Sequence, residues 1–440
     1  MHFYMQNLNF IKGGISVKKI IRCLFLITFI YLSFNLTSKF VSPDTEKWYR
    51  VWGGIGEDAC IGIALDSSNN IYLGGVTTVF SDTEHHPALC LVKYDNIGNY
   101  QWNKTINGTS YIGGAIMIDS LDNMFLAGEI YNTNSSNYDF ILIKFDSSGT
   151  YQWNKTWDSG HDDVCYTIAL DSLENIYLAG SIYSEPNNED FCLVKFNNSG
   201  NYLWNRTWGG DYNDVYSAMI VDSSDNIFLA GDTASFSGGE HKMCLVKYNS
   251  NGSFQWYTLW SGPNIGFLTS IGLDSSENIY LPGSTFVKYD QSGIHQWNRT
   301  WGINCRTMVV NPSDNLYLAG NNGDQISIAV YNINGKFLWA KSINIKGVAF
   351  VSNIIIDNLD NIYVAGTVTT SETLWDFLLI KNPQLFPDQQ ISGNIVIILA
   401  ITIGTFISVV ILKFKFSEKK KVRNSKAKCE YYNLIFNTLC

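Results

Sequence analysis

The chain has 440 residues, 46% of them hydrophobic, and a formal net charge of −9 at pH 7. Residues 1–22 and 413–440 are basic, and removing their +4 and +6 leaves −19 on residues 23–412. A segment this acidic excludes a protein that grips nucleic acid through phosphate contacts, although it suits cations or basic surfaces.

The N-terminal segment, residues 1–45, is predicted to be a signal peptide or an uncleaved signal anchor. Lys18, Lys19 and Arg22 precede an apolar region at residues 23–36, which is the order found in secretory signals. No small-x-small cleavage motif follows, so both alternatives stay open. Either one predicts export of the segment that follows.

Residues 46–382 consist of seven copies of one sequence unit. Each copy contains a motif such as "LDSSNNIYLGG", and its acidic or amide residue recurs after 53, 52, 51, 52, 37 and 46 residues. A fixed period of this size indicates a repeat architecture. The recurring positions are Asp66, Asp119, Asp171, Asp222, Asp274, Asn311 and Asp357.

Each unit is predicted to form four short strands. In the first unit these are "CIGIALD", "NIYLGG", "LCLVKYD" and "NYQWNKT". The first turn is rich in Asp, Ser and Asn, which bond to their own backbone, and Asn tolerates the left-handed conformation. The second turn carries a glycine at a fixed place, as hairpins with a bulge require. The fold predicted is all-β, a seven-bladed β-propeller of four-stranded antiparallel blades.

The ring is predicted to close through an N-terminal outer strand. "WYRVW" begins at Trp48, ahead of the first unit, whereas the seventh unit ends at residue 382 without such a strand. Residues 46–52 are therefore expected to pair with residues 353–382, since an unpaired edge would expose backbone groups. The other copies begin at Trp102, Trp153, Trp204, Trp256, Trp297 and Trp339.

The units resemble the β-propeller repeat family abbreviated SBBP. Residues 204–231, "WNRTWGGDYNDVYSAMIVDSSDNIFLAG", and residues 244–252, "CLVKYNSNG", carry its pattern nearly whole. Blade five departs through a short loop before "FVKYD", and blade six through "VNPSDN" and "ISIAVYN". The resemblance covers residues 46–382 and implies an extracytoplasmic propeller.

The C-terminal part is predicted to anchor the protein in a membrane. After a linker at 383–394, residues 395–412 are uncharged and long enough for a transmembrane helix. The tail, residues 413–440, is basic, as expected on the cytoplasmic side, where Cys429 is a candidate for acylation. The prediction is a cell-membrane protein with an extracytoplasmic propeller and a hydrophobic helix at each end.

Six aspartates recur where strands begin. Capping of backbone amides is the predicted role, because short polar side chains do this in turns. Calcium is the alternative, although no dense D-x-[DN]-x-[DN]-G loop is present. Asp58, Asp163 and Asp214 precede inner strands, while Asp139, Asp190 and Asp376 precede third strands.

Three other features have a structural and a functional interpretation. "SDTEHHP", residues 81–87, is a solvated loop or a metal site. The cysteines of the units are buried small hydrophobes, or else bridges or metal ligands: Cys60, Cys90, Cys165, Cys192 and Cys244. The "W-N-[KR]-T-W" strand packs between blades or binds sugars, and alternation places Trp153, Lys155 and Trp157 on one face.

Asn-x-Ser/Thr sequons are glycan acceptors in an exported protein, or a by-product of an Asn- and Thr-rich composition. They lie at Asn103, Asn107, Asn134, Asn154, Asn197, Asn205, Asn251 and Asn298.

The function predicted is binding, adhesion or an envelope-associated role, with an unknown protein or glycan as the partner. The alternative is an extracytoplasmic enzyme of the quinone-dependent dehydrogenase or lyase type, and a third possibility is a sensor that signals through the tail. No nucleophile elbow, P-loop, dinucleotide fingerprint or H-E-x-x-H motif occurs. We therefore assign no catalytic, cofactor-binding or metal residues and no cofactor from the sequence.

Overall fold

The computed structural model describes residues 48–382, apart from 55, 79–86, 107–110, 185–187, 261, 263–267, 284, 301–303, 324 and 370–374. Every regular element in this part is a β-strand. Within it, no helix is long and apolar enough to cross a membrane. The predicted signal or anchor, linker, span and tail lie outside the described residues.

The strands form seven four-stranded antiparallel sheets, which are the predicted blades. From inner to outer strand, blade 1 contains β2 (Asp58–Leu65), β3 (Ile71–Thr77), β4 (Ala88–Tyr94) and β5 (Tyr100–Ile106); blade 2 contains β6 (Tyr111–Ile118), β7 (Met124–Asn132), β8 (Asn137–Phe145) and β9 (Tyr151–Trp157); blade 3 contains β10 (Asp162–Leu170), β11 (Ile176–Ser184), β12 (Asn188–Phe196) and β13 (Tyr202–Trp208).

Blade 4 contains β14 (Asp214–Val221), β15 (Ile227–Thr233), β16 (Lys242–Tyr248) and β17 (Phe254–Trp260); blade 5 contains β18 (Gly272–Leu273), β19 (Ile279–Leu281), β20 (Thr285–Tyr289) and β21 (His295–Thr300); blade 6 contains β22 (Asn304–Val310), β23 (Asn315–Asn322), β24 (Gln325–Asn332) and β25 (Phe337–Ile343); blade 7 contains β26 (Val348–Ile356), β27 (Ile362–Thr369), β28 (Asp376–Asn382) and β1 (Trp48–Trp52). Blade 5 has the shortest strands, in line with its shortened unit.

The predicted closure of the ring is confirmed. β1 pairs antiparallel with β28, with Trp48 opposite Lys381 and Trp52 opposite Phe377. Blade 7 then packs on blade 1 through a cluster that includes Ile71 and Tyr363. The first strand of the propeller is therefore the outer strand of its last blade.

The core lies between neighbouring blades. At the boundary of blades 2 and 3, buried Phe125 and Phe140 pack against Leu178 and Cys192. The second and third strands are buried on both faces because each blade is covered by its two neighbours. This explains why their sequences are almost continuously apolar.

The two ends of the ring differ. The turn rim carries the first tight turn of every blade and the second tight turn of blades 1 to 6, such as residues 66–70 and 95–99 in blade 1. The loop rim is the opposite end, at which the inner and third strands begin. β1 begins at the turn rim with Trp48, and β28 ends there with Asn382. The pairing of Trp48 with Lys381 places the two residues at the same end of the blade.

The first turn of each blade has a left-handed residue at its fourth position, and asparagine is not the usual choice there. It is Asn69 in blade 1 but Asp or Glu in the others: Asp122, Glu174, Asp225, Glu277, Asp314 and Asp360. Several of these carboxylates accept hydrogen bonds from the preceding blade; Asp122 accepts from the Ser67 backbone amide at 2.8 Å and from its hydroxyl at 2.7 Å. The acidic side chain thus joins two blades, which offsets an unfavourable backbone conformation.

A buried charge pair lies at the same rim. In blade 3, Lys195 Nζ lies 2.9 Å from Asp171 Oδ2, and both side chains are almost fully buried. The Tyr177 hydroxyl donates to the same carboxylate at 3.2 Å. Blades 1, 2 and 5 repeat the pair with longer distances.

Candidate functional site

The central channel has a mixed lining of apolar and polar groups. It encloses about 640 Å³ and is lined by the inner strands of all seven blades, with side chains such as Ile63, Ile116, Ile168 and Met308. Polar groups, among them the side chains of Ser217 and Asn353, contribute almost as much of this surface as apolar groups do. No aspartate, glutamate, histidine, lysine or arginine is among the described residues that line the channel.

The aspartates at the strand starts meet in pairs on the loop rim. Asp58 of blade 1 lies beside Asp376 of blade 7, and Gly53 lies against both carboxylates. A Cβ added to Gly53 would be 2.5 Å from Asp58 Oδ2 and 2.1 Å from Asp376 Oδ1. Asp190 and Asp214 form the equivalent pair around Gly209, where the distances would be 1.9 and 2.7 Å. A side chain on Gly53 or Gly209 would collide with the two carboxylates in their present positions.

Blades 2 and 3 depart from this arrangement. Their aspartate pair is Asp139 and Asp163. The residue that follows the last tryptophan of the outer strand is Asp158 here, whereas it is Gly53 or Gly209 beside the other two aspartate pairs. One oxygen atom from each of the three carboxylates lies within 4.8 Å of the other two. A third acid therefore occupies the place that Gly53 and Gly209 take between the other two aspartate pairs.

The predicted capping role is confirmed for the inner-strand aspartates. Each accepts from the backbone amide four residues earlier: Asp58 from Gly54 at 3.0 Å, Asp163 from Ser159 at 2.8 Å, and Asp214 from Gly210 at 2.9 Å. The third-strand Asp139 instead accepts from the Asn132 side chain at 2.9 Å.

Burial makes several of these carboxyl groups weak acids. Burial raises the pKa of Asp163 to about 7, and the nearby charges of Asp158 and Asp139 add to this, although hydrogen bonds from Ser159 oppose it. Burial and the charge of Asp214 raise the pKa of Asp190 to about 6. Asp163 and Asp190 thus lie at places on the loop rim where water solvates the ionised carboxylate poorly.

Three further polar side chains lie on the second strands of blades 2, 3 and 4. Glu129, Ser181 and Asp232 each follow the glycine of the "AG" motif, where blade 1 has Val76. Glu129 is only 4% exposed. Burial raises its pKa to about 7, and the charge of Asp162 contributes to the rise.

Asp232 resembles Glu129 in its environment. Burial raises the pKa of Asp232 to about 6, which the charge of His241 partly opposes. In blade 3 the smaller Ser181 donates from its hydroxyl to Glu189 Oε1 at 2.6 Å. These three side chains differ from blade to blade, so the repeat itself does not require them.

An exposed aromatic patch lies where blade 3 meets blade 4. We define it as Trp208, Tyr212, Phe236 and Tyr257. The Phe236 ring lies 4.8 Å from Trp208 and 5.1 Å from Tyr257, measured between ring centroids. Trp208 is buried beneath them at 8% exposure, while Tyr212, Phe236 and Tyr257 are 53%, 39% and 42% exposed.

Two loops hold the patch in place. The Tyr212 backbone amide donates to Ser235 Oγ at 3.0 Å, and that hydroxyl donates to the Tyr212 carbonyl at 2.8 Å. The Ala234 amide donates to the Asn213 carbonyl at 3.0 Å. The rings are thereby presented on a backbone that is already ordered, which lowers the entropy cost of binding.

The structure places the other predicted residues as follows. "SDTEHHP" lies outside the described residues except for Pro87. The cysteines of the units are buried and free, as predicted, and Cys305 joins them.

The tryptophans pack between blades, with Trp153 against Gly200 of blade 3. Among the sequons, Asn103, Asn154, Asn205 and Asn298 lie in outer strands.

Sequence reasoning missed the pairing of the aspartates and the aromatic patch. Both left a signal in the repeats: "WDSG" replaces "WGG" at Asp158, and "WYTLW" replaces "W-N-[KR]-T-W" at Tyr257.

No protein-family model matches the chain. An uncharacterized WD repeat-containing protein of Acanthamoeba polyphaga mimivirus is 24% identical over 237 residues, which are 47% of this chain. The match spans only 15% of that relative's length.

Among solved structures, the chain is similar to the β-propeller domain of the Trilobed protease from Pyrococcus furiosus, with a TM-score of 0.48 and 8% identity over 77% of this chain and 99% of that one. It is also similar to YCF48 bound to D1 peptide, with a TM-score of 0.48 and 9% identity over 76% of this chain and 97% of that one.

Proposed function

We propose that the protein is a membrane-anchored, extracytoplasmic propeller that binds a protein or glycan partner through its loop rim. The observation that carries this proposal is the aromatic patch at the boundary of blades 3 and 4. Exposed tyrosine and phenylalanine rings over a packed base are typical of binding surfaces, since aromatic side chains bury a large area at little entropic cost.

The patch combines rings from the outer strands of two blades with rings from two loops. Other outer strands place Asn103, Asn154 or Asn205 where blade 4 has Tyr257, whereas blade 7 also has a tyrosine there, Tyr49. Phe236 comes from the loop between β15 and β16, which turns back over the outer strand to reach Trp208. Phe236 is thus an addition to the repeat, and Tyr257 replaces the asparagine of most outer strands. The packing of the blades does not require either ring to be exposed.

The anchoring part of the proposal rests on the sequence. The basic start and apolar region of residues 1–45 and the uncharged run at 395–412 support export and a C-terminal span. The described ends of the propeller, Trp48 and Asn382, both lie at the turn rim.

The assignment to the SBBP repeat family and the assignment as a glycoprotein belong to the same proposal. The repeat pattern of residues 204–252 supports the first, and the outer-strand sequons support the second. No carboxylate, histidine, lysine or arginine is among the described residues that line the central channel, which favours binding over the alternative enzyme of the dehydrogenase or lyase type.

The test is a binding comparison with full-length protein in detergent. Wild type, Phe236→Ser with Tyr257→Asn, and the control Tyr151→Asn are applied to a glycan array and to immobilised envelope proteins. Tyr151 is a suitable control because it is 49% exposed on an outer strand outside the patch. We expect a ligand that wild type and the control retain and the double variant loses. Equal retention by all three proteins would contradict the proposal.

A further inference from the structure

We infer that the boundary of blades 2 and 3 holds one calcium ion between Asp139, Asp158 and Asp163. This site lies on the loop rim but apart from the aromatic patch, and it does not depend on the proposed binding function.

The first observation is geometric. The three carboxylates each offer an oxygen atom, and these atoms lie within 4.8 Å of one another. Calcium binds oxygen ligands at about 2.3–2.6 Å, so two ligands on opposite sides of the ion are about 5 Å apart. The cluster therefore has the dimensions of one side of a calcium coordination sphere.

The second observation is a buried oxygen atom that lacks a partner. Asp139 is 3% exposed. Its Oδ2 accepts a hydrogen bond from Asn132 Nδ2 at 2.9 Å. Its Oδ1 is buried and has no hydrogen-bond partner among the described residues. An unpaired buried carboxylate oxygen is costly, and a cation ligated there would satisfy it.

The third observation compares the three equivalent boundaries. Gly53 and Gly209 leave room for two carboxylates each, because a side chain there would run into them at about 2 Å. Asp158 brings a third negative charge to this place. Three carboxylates in contact repel one another in a poorly solvated site, unless a cation compensates them.

The donor set selects the kind of ion. All three ligands are carboxylates, and hard oxygen ligands suit calcium or magnesium rather than zinc or copper. Magnesium requires near-octahedral geometry at about 2.0–2.1 Å, whereas calcium accepts irregular arrangements of six to eight ligands. Fixed side chains from two blades suit the more permissive ion.

The ligand atoms are held before the ion binds. Asp163 Oδ2 accepts from the Ser159 amide at 2.8 Å, and its Oδ1 accepts from the Ser159 hydroxyl at 2.6 Å. Asp158 Oδ1 accepts from the Gly160 amide at 2.6 Å. Since Asp139 belongs to blade 2 and Asp163 to blade 3, the ion would connect two blades of the ring.

The experiment uses the full-length protein, freed of metal with a chelator and then titrated with calcium chloride. Binding is followed by isothermal titration calorimetry and by the midpoint of thermal unfolding. We expect one calcium ion per chain and a midpoint that rises by about 3 °C or more at saturation, because an ion that binds only the folded state stabilises it.

Two variants make the assignment specific. Asp158→Gly restores the residue of the two equivalent boundaries, so it should fold, and we expect it to lose calcium binding and the thermal shift. Asp190→Asn changes the two-carboxylate pair of blades 3 and 4, and it should keep both.

Three outcomes would overturn the inference. They are an absence of calcium binding to wild type at 10 mM, retention of binding by Asp158→Gly, and a shift with magnesium chloride alone that equals the calcium shift.

Discussion

The indole ring of Trp48 lies directly against Gly98, and a Cβ on that glycine would be 2.6 Å from the ring. The contact joins the outer strand of blade 7 to the second turn of blade 1. The same contact recurs at five other boundaries, where the tryptophan of the outer strand covers the left-handed glycine of the next blade: Trp102 on Gly149, Trp153 on Gly200, Trp204 on Gly252, Trp256 on Gly293 and Trp297 on Gly335. Arg50 adds to the closing contact, since its Nε donates to the Gly98 carbonyl at 2.7 Å.

The first prediction concerns this contact. Gly98→Ala should lower the free energy of unfolding by about 2 kcal/mol or more, because a left-handed alanine costs about 1–2 kcal/mol and the methyl group also displaces Trp48. Gly238→Ala is the matched control: its φ is +76°, against +84° for Gly98, but nothing lies within 4 Å of the added Cβ. It should lose about 1 kcal/mol. Denaturant unfolding followed by tryptophan fluorescence measures the stability of both variants. Equal losses of stability would show that Trp48 accommodates the added methyl group without cost.

The second prediction concerns the buried charge pair of Lys195 and Asp171, whose atoms are 2.9 Å apart. Lys195→Val should destabilise the protein by about 3 kcal/mol, because it leaves a buried carboxylate without its cation. Adding Asp171→Asn should recover most of the loss.

Blade 6 provides the precedent for this double change. It has Asn311 in place of the aspartate and Val330 in place of the lysine, so both members of the pair are replaced together. A double-mutant cycle by denaturant unfolding measures the coupling. If the double variant is less stable than Lys195→Val alone, the two charges do not act as a pair.

The third prediction is a pH dependence from Glu129. Its pKa is about 7 in the folded protein because of burial, above the ordinary value of 4.5. The folded chain therefore binds more protons than the unfolded chain between these values, and stability falls as pH rises from 4.5 to 7. Glu129→Gln should be more stable than wild type by about 2 kcal/mol at pH 8 and nearly equal to it at pH 4.

The control for this experiment is Glu240→Gln, which changes an exposed acid near the same rim. Thermal or denaturant unfolding at the two pH values is sufficient. A stability difference for Glu129→Gln that is the same at pH 4 and pH 8 would argue against a buried charge as its cause.

The fourth prediction concerns the cysteines. Cys60, Cys90, Cys165, Cys192, Cys244 and Cys305 are free and buried. Burial raises the pKa of Cys305 to about 12 and that of the other five further, so little thiolate forms. Iodoacetamide at pH 8 should leave these six unmodified in the folded protein and label them after denaturation, as read by peptide mass spectrometry. Labelling of any of the six in the folded protein would contradict their burial.

The sequence predicted the fold because the repeat determines it. The spacing of Asp66 and its equivalents predicted seven blades, and the position of Trp48 ahead of the first unit predicted the closing strand; pairing with β28 confirms both. These inferences depend only on what every unit shares.

The candidate sites could not be predicted in the same way. Asp139 and Asp163 belong to different units, 24 positions apart, and their contact depends on how two twisted blades face each other. Glu174 and Glu277 were unexpected in left-handed turns, because their contacts with Ser120 and Ser223 of the preceding blades exist only once the ring has formed. Geometry between blades, rather than the pattern within one, determines these positions.

The closing pair of strands also has a mechanical consequence. Trp48 and Lys381 are the outermost pair of β1 and β28, and both chain ends continue from them. A force that pulls the two ends apart would load this pair first and then separate the remaining pairs one after another, as a zipper opens. Peeling of this kind needs less force than sliding two strands past each other. The ring would therefore open at blade 7 while its other blades remain folded.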